Sequence, residues 1–345
     1  MSLSYGGQGM SEPGALISKG KLEVADVSAL QLPQRNRRAW LHAGFCVVSL
    51  PHSKPKDARD DHVVDGDGYK LILQPKPIDV DTDGNTIYTG LPYGAKARII
   101  LMHLQTQAIR NKSPVVSLGE NMTSFIRRLG YENVNGGERG VIAAVQEQAV
   151  RIGRTNFTLI DKRAARGIST VRDAALADGL DLFQEGPDDG QLSLFNPDSD
   201  DKVDKGNRKK GRRYTWVKQI TLSDQFYEHL LTNKVELAEE VIAALKGSSW
   251  ALDVYLWLAY TLPGLETSLE LSWAELHRQF APKLYVGNLP ALRKKILTPA
   301  LEEVRAACPA ADFGWGPEGV TLRPSRMLAA GSRPIQSLIS NQSVR

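Results

Sequence analysis

The chain has 345 residues, of which 42% are hydrophobic and 24% charged, and a formal net charge of +4. This is an ordinary globular composition with room for two domains. No apolar run reaches the length of a membrane span and residues 1–21 lack a signal-peptide core, so we expect a cytoplasmic protein. Two distant cysteines, Cys46 and Cys308, exclude a disulfide framework and a cysteine-rich zinc site.

The N-terminal part predicts a small β extension. Residues 1–35 are rich in Gly, Ser and Gln and are expected to be disordered. Apolar runs at 43–50 and 69–73, with prolines close behind them at 51 and 75, predict strands. His42, His52 and His62 share no metal-ligand spacing, so neither a metal nor a cofactor is predicted.

From residue 91 the pattern becomes helical. Apolar residues at helical spacing predict helices at 91–108, 121–129 and about 139–154, and the strand-like run 156–161 follows. Helix, short strand, helix, helix and strand is the order of a winged-helix module, whose third helix enters the major groove. A generic α+β core has the same elements and stays open as an alternative. The outward residues of the third helix, and candidate DNA contacts, are Arg139, Gln146, Arg151 and Arg154.

An alternating run at 214–221 predicts the second strand of the wing hairpin. Residues 165–213 then form one long flexible insertion at the tip of the wing, and loops of that length are usually functional or disordered. Acidic and basic residues are separated within this insertion, because 173–201 contains no Lys or Arg and a basic block follows. Such a block is typical of an arm that contacts phosphates. The candidate DNA contacts there are Arg208, Lys209, Lys210, Arg212 and Arg213.

One short apolar segment lies within the acidic part of this insertion. It consists of Gln191, Leu192, Ser193, Leu194 and Phe195. Large apolar residues in a polar stretch need a partner. The segment resembles the motif with which bacterial replication proteins bind the sliding clamp. Residues 179–183 are a near-repeat without the glutamine, and both segments folding back onto the domains remains the alternative.

The second half repeats the same plan over 224–327, followed by a flexible tail at 328–345. Residues 251–262 predict a buried first helix, 269–272 a strand, 273–280 a second helix and 289–305 a third. Pro299 should kink the third helix or mark a new start capped by Thr298. Residues 313–323 contain Gly-Pro-Glu-Gly between two apolar runs and predict a hairpin. The outward residues, and candidate DNA contacts, are Arg293, Lys294, Lys295 and Thr298.

These stretches resemble the plasmid-encoded RepA replication initiators. The resemblance runs from about residue 40 to residue 326 and is carried by residues 90–98, 104–108, 117–119, 125–130, 44–46, 50–52 and 321–325. It implies an α+β protein with tandem winged-helix domains, one at 36–223 and one at 224–327. The clamp-like segment is also similar to that of another plasmid initiator, TrfA.

The resemblance also implies function and partners. Such proteins bind double-stranded repeats at a plasmid origin, promote its opening and recruit host proteins, here including the sliding clamp and either the replicative helicase or the host initiator. A homodimer is left open. A winged-helix transcriptional repressor is the alternative. A nicking enzyme is disfavoured because the chain lacks closely spaced histidine pairs, and no Gly-Lys-Ser/Thr phosphate loop is present.

Overall fold

The computed structural model describes residues 37–80, 83–135, 140–163, 174–175, 183–185, 214–216, 219–281 and 289–325. Helices and strands are mixed along these ranges, which fits the α+β class. Among these residues, none of the helices combines the length and the apolar character needed to cross a membrane. The segments predicted to be disordered at 1–35 and 328–345 lie outside the described residues.

The elements up to residue 221 are, in chain order, β1 (Arg38–His42), α1 (Ala43–Val47), β2 (His62–Asp65), β3 (Tyr69–Pro75), β4 (Pro77–Val80), β5 (Thr86–Tyr88), α2 (Gly94–Asn111), β6 (Val115–Ser117), α3 (Met122–Arg128), α4 (Val141–Gly153), β7 (Thr155–Asp161), β8 (Ala174–Ala175), β9 (Phe183–Glu185), β10 (Tyr214–Trp216) and β11 (Gln219–Thr221). Those after it are α5 (Asp224–Thr232), β12 (Lys234–Ala238), α6 (Glu239–Leu245), α7 (Ser249–Thr261), a 3-10 turn (Leu262–Gly264), β13 (Leu269–Ser272), α8 (Trp273–Phe280), α9 (Leu289–Leu292), a π-helical turn (Arg293–Leu297), α10 (Thr298–Ala307), β14 (Phe313–Trp315) and β15 (Gly319–Leu322).

The strand predicted at 43–50 is wrong, because Ala43–Val47 forms helix α1 with all five residues buried. The imidazole of His42 caps this helix, its Nδ1 accepting a hydrogen bond from the Gly44 amide at 2.9 Å. A Cβ atom on Gly44 would lie 2.8 Å from Cδ2 of Leu159, so the glycine allows the helix to approach β7 closely. A short helix buried on every side is apolar throughout, and its periodicity cannot distinguish it from a strand.

The strand predicted at 69–73 is confirmed, and it belongs to an antiparallel sheet with the order β2-β3-β7-β8. Leu71 pairs with Leu159 and Leu73 with Phe157, and all four side chains are buried. These inward residues join the N-terminal strands to the strand that follows the third helix.

The hairpin predicted between 156–161 and 214–221 is wrong. Strand β7 pairs with β3 and β8, whereas β10 pairs with β9 and β11 pairs with β6. Alternating apolar residues identify a strand and its buried face, but they do not specify which strand lies beside it. Strands β8 and β9 also lie inside the insertion predicted at 165–213, and the rest of that insertion lies outside the described residues.

The helices of the first unit follow the prediction more closely. Helix α3 begins with a capping box between Asn121 and Ser124. The chain turns after it at Gly130, whose φ of +83° is a conformation that favours glycine. Helix α4 packs against α2 and α3, and β6, which contacts α2, pairs with β11.

In the second unit, helix α7 is buried from Ala251 to Thr261, as predicted. Strands β13, β15 and β14 form a sheet in that order, and β14 and β15 form the predicted hairpin. The third helix is interrupted by the π-helical turn, and Pro299 occupies the first turn of α10. Thr298 does not cap α10, since no side chain bonds to its N-terminus.

A buried ion pair connects the two units. Arg98 of α2 donates to Asp253 of α7 through Nε at 2.5 Å and Nη2 at 2.7 Å. The same guanidinium donates to the carbonyls of Leu50, Pro51 and Gly94 at 2.7, 3.2 and 2.9 Å. Strand β1 also pairs with β12. Two helices of different units are therefore held together by a hydrogen-bonded charge pair.

Candidate nucleic-acid interface

The third helix and the hairpin of the second unit bring several of the predicted contacts together. Helix α8 begins with a capping box between Ser272 and Glu275, and the first residue of the helix, Trp273, is buried. Its indole Nε1 donates to the carbonyls of Gly316 and Pro317 at 3.1 Å each. The sequence around the cap thus fixes an indole beneath the tip of the β14–β15 hairpin.

Arg293 contacts the same tip. Its Nη1 donates to the Pro317 carbonyl at 2.8 Å and its Nη2 to the Gly316 carbonyl at 3.1 Å. The guanidinium carbon lies 4.6 Å from the centre of the Trp273 ring, which is a cation–π contact. Arg293 is half-buried, and the structure places it against the hairpin.

Lys294 and Lys295, the next two residues of the π-helical turn, are exposed. Neither forms an ion pair within the described part of the chain. Thr298 is half-buried at the start of α10. Two adjacent exposed ammonium groups that follow Arg293 directly in the chain are suited to neutralise phosphates.

In the first unit, two of the predicted contacts point the wrong way, and the prediction that they face solvent is corrected. Gln146 is 7% exposed and Arg151 is 2% exposed. Nε of Arg151 donates to Glu147 at 3.0 Å and its Nη1 to the Leu91 carbonyl at 3.3 Å, while the guanidinium lies over the ring of Tyr93. The segment before α2 covers this side of α4, so a polar face that looked free in the sequence is enclosed.

The remaining predicted residues are placed as follows. Arg154 is half-buried at the end of α4, and its carbonyl accepts a hydrogen bond from the Lys76 amide at 2.7 Å. The others lie outside the described residues, namely Arg139, Arg208, Lys209, Lys210, Arg212, Arg213 and the clamp-like residues Gln191, Leu192, Ser193, Leu194 and Phe195.

Exposed basic residues that were not singled out lie at the ends of α2 and α3. Arg127 and Arg128 are exposed in the last turn of α3, and Lys112 is exposed at the end of α2 with a φ of +51°. The signal was present, because Arg127 and Arg128 fall outside the apolar stripe of Met122, Phe125 and Ile126.

A buried polar network lies at the root of the insertion. His42 Nε2 is 2.9 Å from His229 Nδ1, and His229 Nε2 is 3.5 Å from the Asp161 carboxylate. Arg163 donates to Asp161 at 2.7 Å and to Asn233 at 2.8 Å. Burial, and then the charge of His229, lowers the pKa of His42 to about 3. In the part of the chain described above, no three His, Cys, Asp or Glu side chains are grouped as a metal site requires.

Comparison with known proteins gives one family and two structures. A family model described as plasmid encoded RepA protein matches residues 91–274. The comparison with curated proteins gives no match. A crystal structure of selenomethionine derivatives of domains 2 and 3 of RctB is similar with 12% identity and a TM-score of 0.41, over 74% of this chain and 82% of that chain. A second crystal structure of RctB domains 2–3 gives 11% identity and a TM-score of 0.40, over 77% and 82%.

Proposed function

Because the chain belongs to the family of plasmid-encoded RepA proteins, we propose that it is a plasmid replication initiator that binds repeated double-stranded sites at its origin. It would then promote opening of the adjacent duplex and recruit host replication proteins, including a helicase or the host initiator. The observation that carries the proposal is the family match, since residues 91–274 include helices α2, α3 and α4 of the first unit and the elements from α5 to β13 of the second.

The architecture of the second unit supports one winged-helix domain at 224–327. Helix α7, strand β13, helix α8, the third helix and the β14–β15 hairpin follow one another, and the sheet order places the last strand beside the first. That is the order of elements in a winged-helix module. The third helix would read base edges in the major groove while the hairpin contacts the backbone.

Lys294 and Lys295 provide the test of DNA binding. Each phosphate that a lysine neutralises adds about 0.9 to the slope of log affinity against log salt concentration. In Lys294→Ala/Lys295→Ala we therefore expect origin affinity to fall and the slope to decrease by about 1.8. Fluorescence anisotropy with a labelled origin repeat at several salt concentrations measures both quantities.

The matched control removes the same charge elsewhere. Lys54 and Lys56 are also exposed and lie in the loop before β2. Lys54→Ala/Lys56→Ala should keep the slope of the unmodified protein. An unchanged salt slope in the Lys294→Ala/Lys295→Ala variant would show that these lysines of the second unit do not contact DNA.

The sliding clamp is the second proposed partner, and the clamp-like residues 191–195 support it. Burying Leu194 and Phe195 offers about 1.5–3 kcal/mol each, while ordering the backbone costs about 1–2 kcal/mol per residue. The isolated segment should thus bind weakly, and tethering on one DNA molecule would raise its occupancy.

Leu194→Ala/Phe195→Ala should abolish binding to immobilised clamp, because the two largest apolar contacts are removed, while origin affinity stays unchanged. Surface plasmon resonance against the clamp and against origin DNA checks the two halves of this expectation. Retained clamp binding would assign the segment to contacts within the chain instead.

A further inference from the structure

The tip of the β14–β15 hairpin is held by two side chains from two different helices. The carbonyls of Gly316 and Pro317 each accept one hydrogen bond from Trp273 and one from Arg293, over distances of 2.8 to 3.1 Å. The turn itself is closed by the Gly316 amide, which donates to the Gly319 carbonyl at 2.9 Å. Both tip carbonyls are therefore directed towards the helices.

The backbone beside the tip is equally constrained. A Cβ atom on Gly319 would lie 1.9 Å from the Leu271 carbonyl oxygen, so the hairpin returns in direct contact with β13. The Trp273 amide, which follows β13, donates to the Glu318 carbonyl at 3.4 Å. The tip cannot move relative to α8 without breaking these contacts.

The chemistry of the contact requires arginine. A guanidinium presents donors on separate nitrogens in a planar fork and stacks on an aromatic face, whereas a lysine ammonium is a single point of charge on a flexible stem. Arg293 uses both properties here, because its two terminal nitrogens bond to different carbonyls while its plane lies over the indole.

We propose that Arg293 is a positioning residue that locks the hairpin tip onto the third helix, so that the tip and Lys294–Lys295 contact one continuous stretch of DNA backbone. It acts on DNA through the tip rather than as a phosphate contact of its own. This inference rests on the proposed function. Its consequence is that the exposed residues of the tip, Pro317 and Glu318, lie at the DNA.

The first experiment compares variants that keep the charge of the chain. Arg293→Lys retains the positive charge but loses the fork, and we expect its origin affinity to fall roughly tenfold, which is the scale of one hydrogen bond to a charged group. Trp273→Phe removes the indole donor without changing any charge and should weaken binding in the same direction. Wild-type affinity in Arg293→Lys would overturn the proposal, because a phosphate contact survives that change.

Arg305→Lys is the matched control. The Arg305 guanidinium carbon lies 4.1 Å from the centre of the Trp315 ring on the same hairpin, but this residue makes no bond to the tip carbonyls. Its lysine variant loses a stacked arginine without releasing the tip, so it should bind like the unmodified protein. A loss equal to that of Arg293→Lys would show general weakening of the hairpin and would overturn the specific role of Arg293. Thermal midpoints of the full-length variants identify any that fail to fold. If Arg293→Lys fails to fold, the origin affinity of Trp273→Phe is compared with that of Arg305→Lys instead.

The second experiment uses the tip as a probe of its own position. Glu318→Lys should raise the salt slope by about 0.9 if the tip lies against a phosphate. In the Arg293→Lys background the same substitution should give no gain, since the tip is released. A purely structural role for Arg293 would leave the gain unchanged, and that result would overturn the proposal.

The experiments distinguish failure of the positioning role of Arg293 from failure of the proposed function. If Glu318→Lys has no effect in the unmodified background while Lys294→Ala/Lys295→Ala loses affinity, the tip is away from DNA and the positioning role is wrong, but the proposed function stands. If the double lysine variant binds as well as the unmodified protein, the second unit does not bind the DNA and the proposed function itself needs another site.

Discussion

Helix α4 in the first unit and residues 289–307 in the second have the same sequence pattern, an apolar stripe interrupted by polar and basic residues. They differ in whether those polar and basic side chains are exposed to solvent. In α4, Gln146 and Arg151 are buried. In the second unit, Lys294 and Lys295 are exposed. The pattern alone predicted basic outward faces for both helices, and it holds for only one of them.

The difference arises from what covers the polar side of each helix. Helix α4 packs against α2 and α3, and the segment before α2 closes over its polar face, where the Tyr93 amide donates to Gln148 at 2.8 Å. Residues 289–307 pack against α7 and α6, and the hairpin contacts them at Arg293 and Arg305, which leaves Lys294 and Lys295 exposed. An apolar stripe identifies one buried face of a helix, but it does not show whether a polar face is also covered.

The largest expected effect concerns the ion pair between Arg98 and Asp253, which connects α2, packed against α4, with α7, packed against α10. Arg98→Ala should lower the free energy of unfolding by about 3–5 kcal/mol, because Asp253 would remain buried without its partner. Arg98→Met/Asp253→Leu removes both charges at similar volume and should cost less than Arg98→Ala, and the loss that remains reports the Leu50 and Pro51 carbonyls that lose their donor. Urea denaturation followed by circular dichroism measures both. A small loss in Arg98→Ala would mean that α2 and α7 are held mainly by other contacts.

Arg151 provides the direct test of the comparison. Arg151→Ala should cost about 2–3 kcal/mol of stability, because it removes a charged donor from Glu147 and from the Leu91 carbonyl. Its origin binding at a temperature where the variant is folded should keep the salt slope of the unmodified protein. Lys294→Ala/Lys295→Ala should show the reverse, with an altered slope and little change in stability. A reduced slope in Arg151→Ala would restore α4 as a DNA-contacting helix.

Much of the fold could be predicted because its signals are local. Helical spacing located α2, α3 and α7, and Gly-Pro-Glu-Gly located the turn between β14 and β15. Strand pairing could not be predicted in the same way. Strand β1 pairs with β12, and β6 pairs with β11. The partners lie far apart in the sequence, and no local pattern specifies a partner at such a separation.

The residues of the candidate site also differ in whether local sequence is enough to predict their environment. The exposure of Lys294 and Lys295 follows from their position on the helix, so the sequence was sufficient. The role of Arg293 depends on carbonyls 23 and 24 residues away, at Gly316 and Pro317, and only the folded hairpin brings them within reach. The same holds for Arg151, whose acceptor at Leu91 lies 60 residues earlier.

Substitution of Gln146 has the smallest expected effect, and it tests whether the polar side of α4 is buried while that of residues 289–307 is exposed. Its Nε2 is buried and has no hydrogen-bond partner among the described residues. Replacing a buried polar group that lacks a partner by an apolar one of similar shape recovers its desolvation cost. Gln146→Met should therefore be neutral or stabilise the fold by up to about 1 kcal/mol, and origin affinity should not change.

A glutamine that reads a base would behave in the opposite way, because its loss removes about 1–3 kcal/mol of discrimination at one base pair. Denaturation curves of Gln146→Met, together with its affinities for an origin repeat and for singly substituted repeats, separate the two cases. Relaxed specificity at one position would mean that α4 opens on DNA and that the buried side of this helix is turned outwards in the complex.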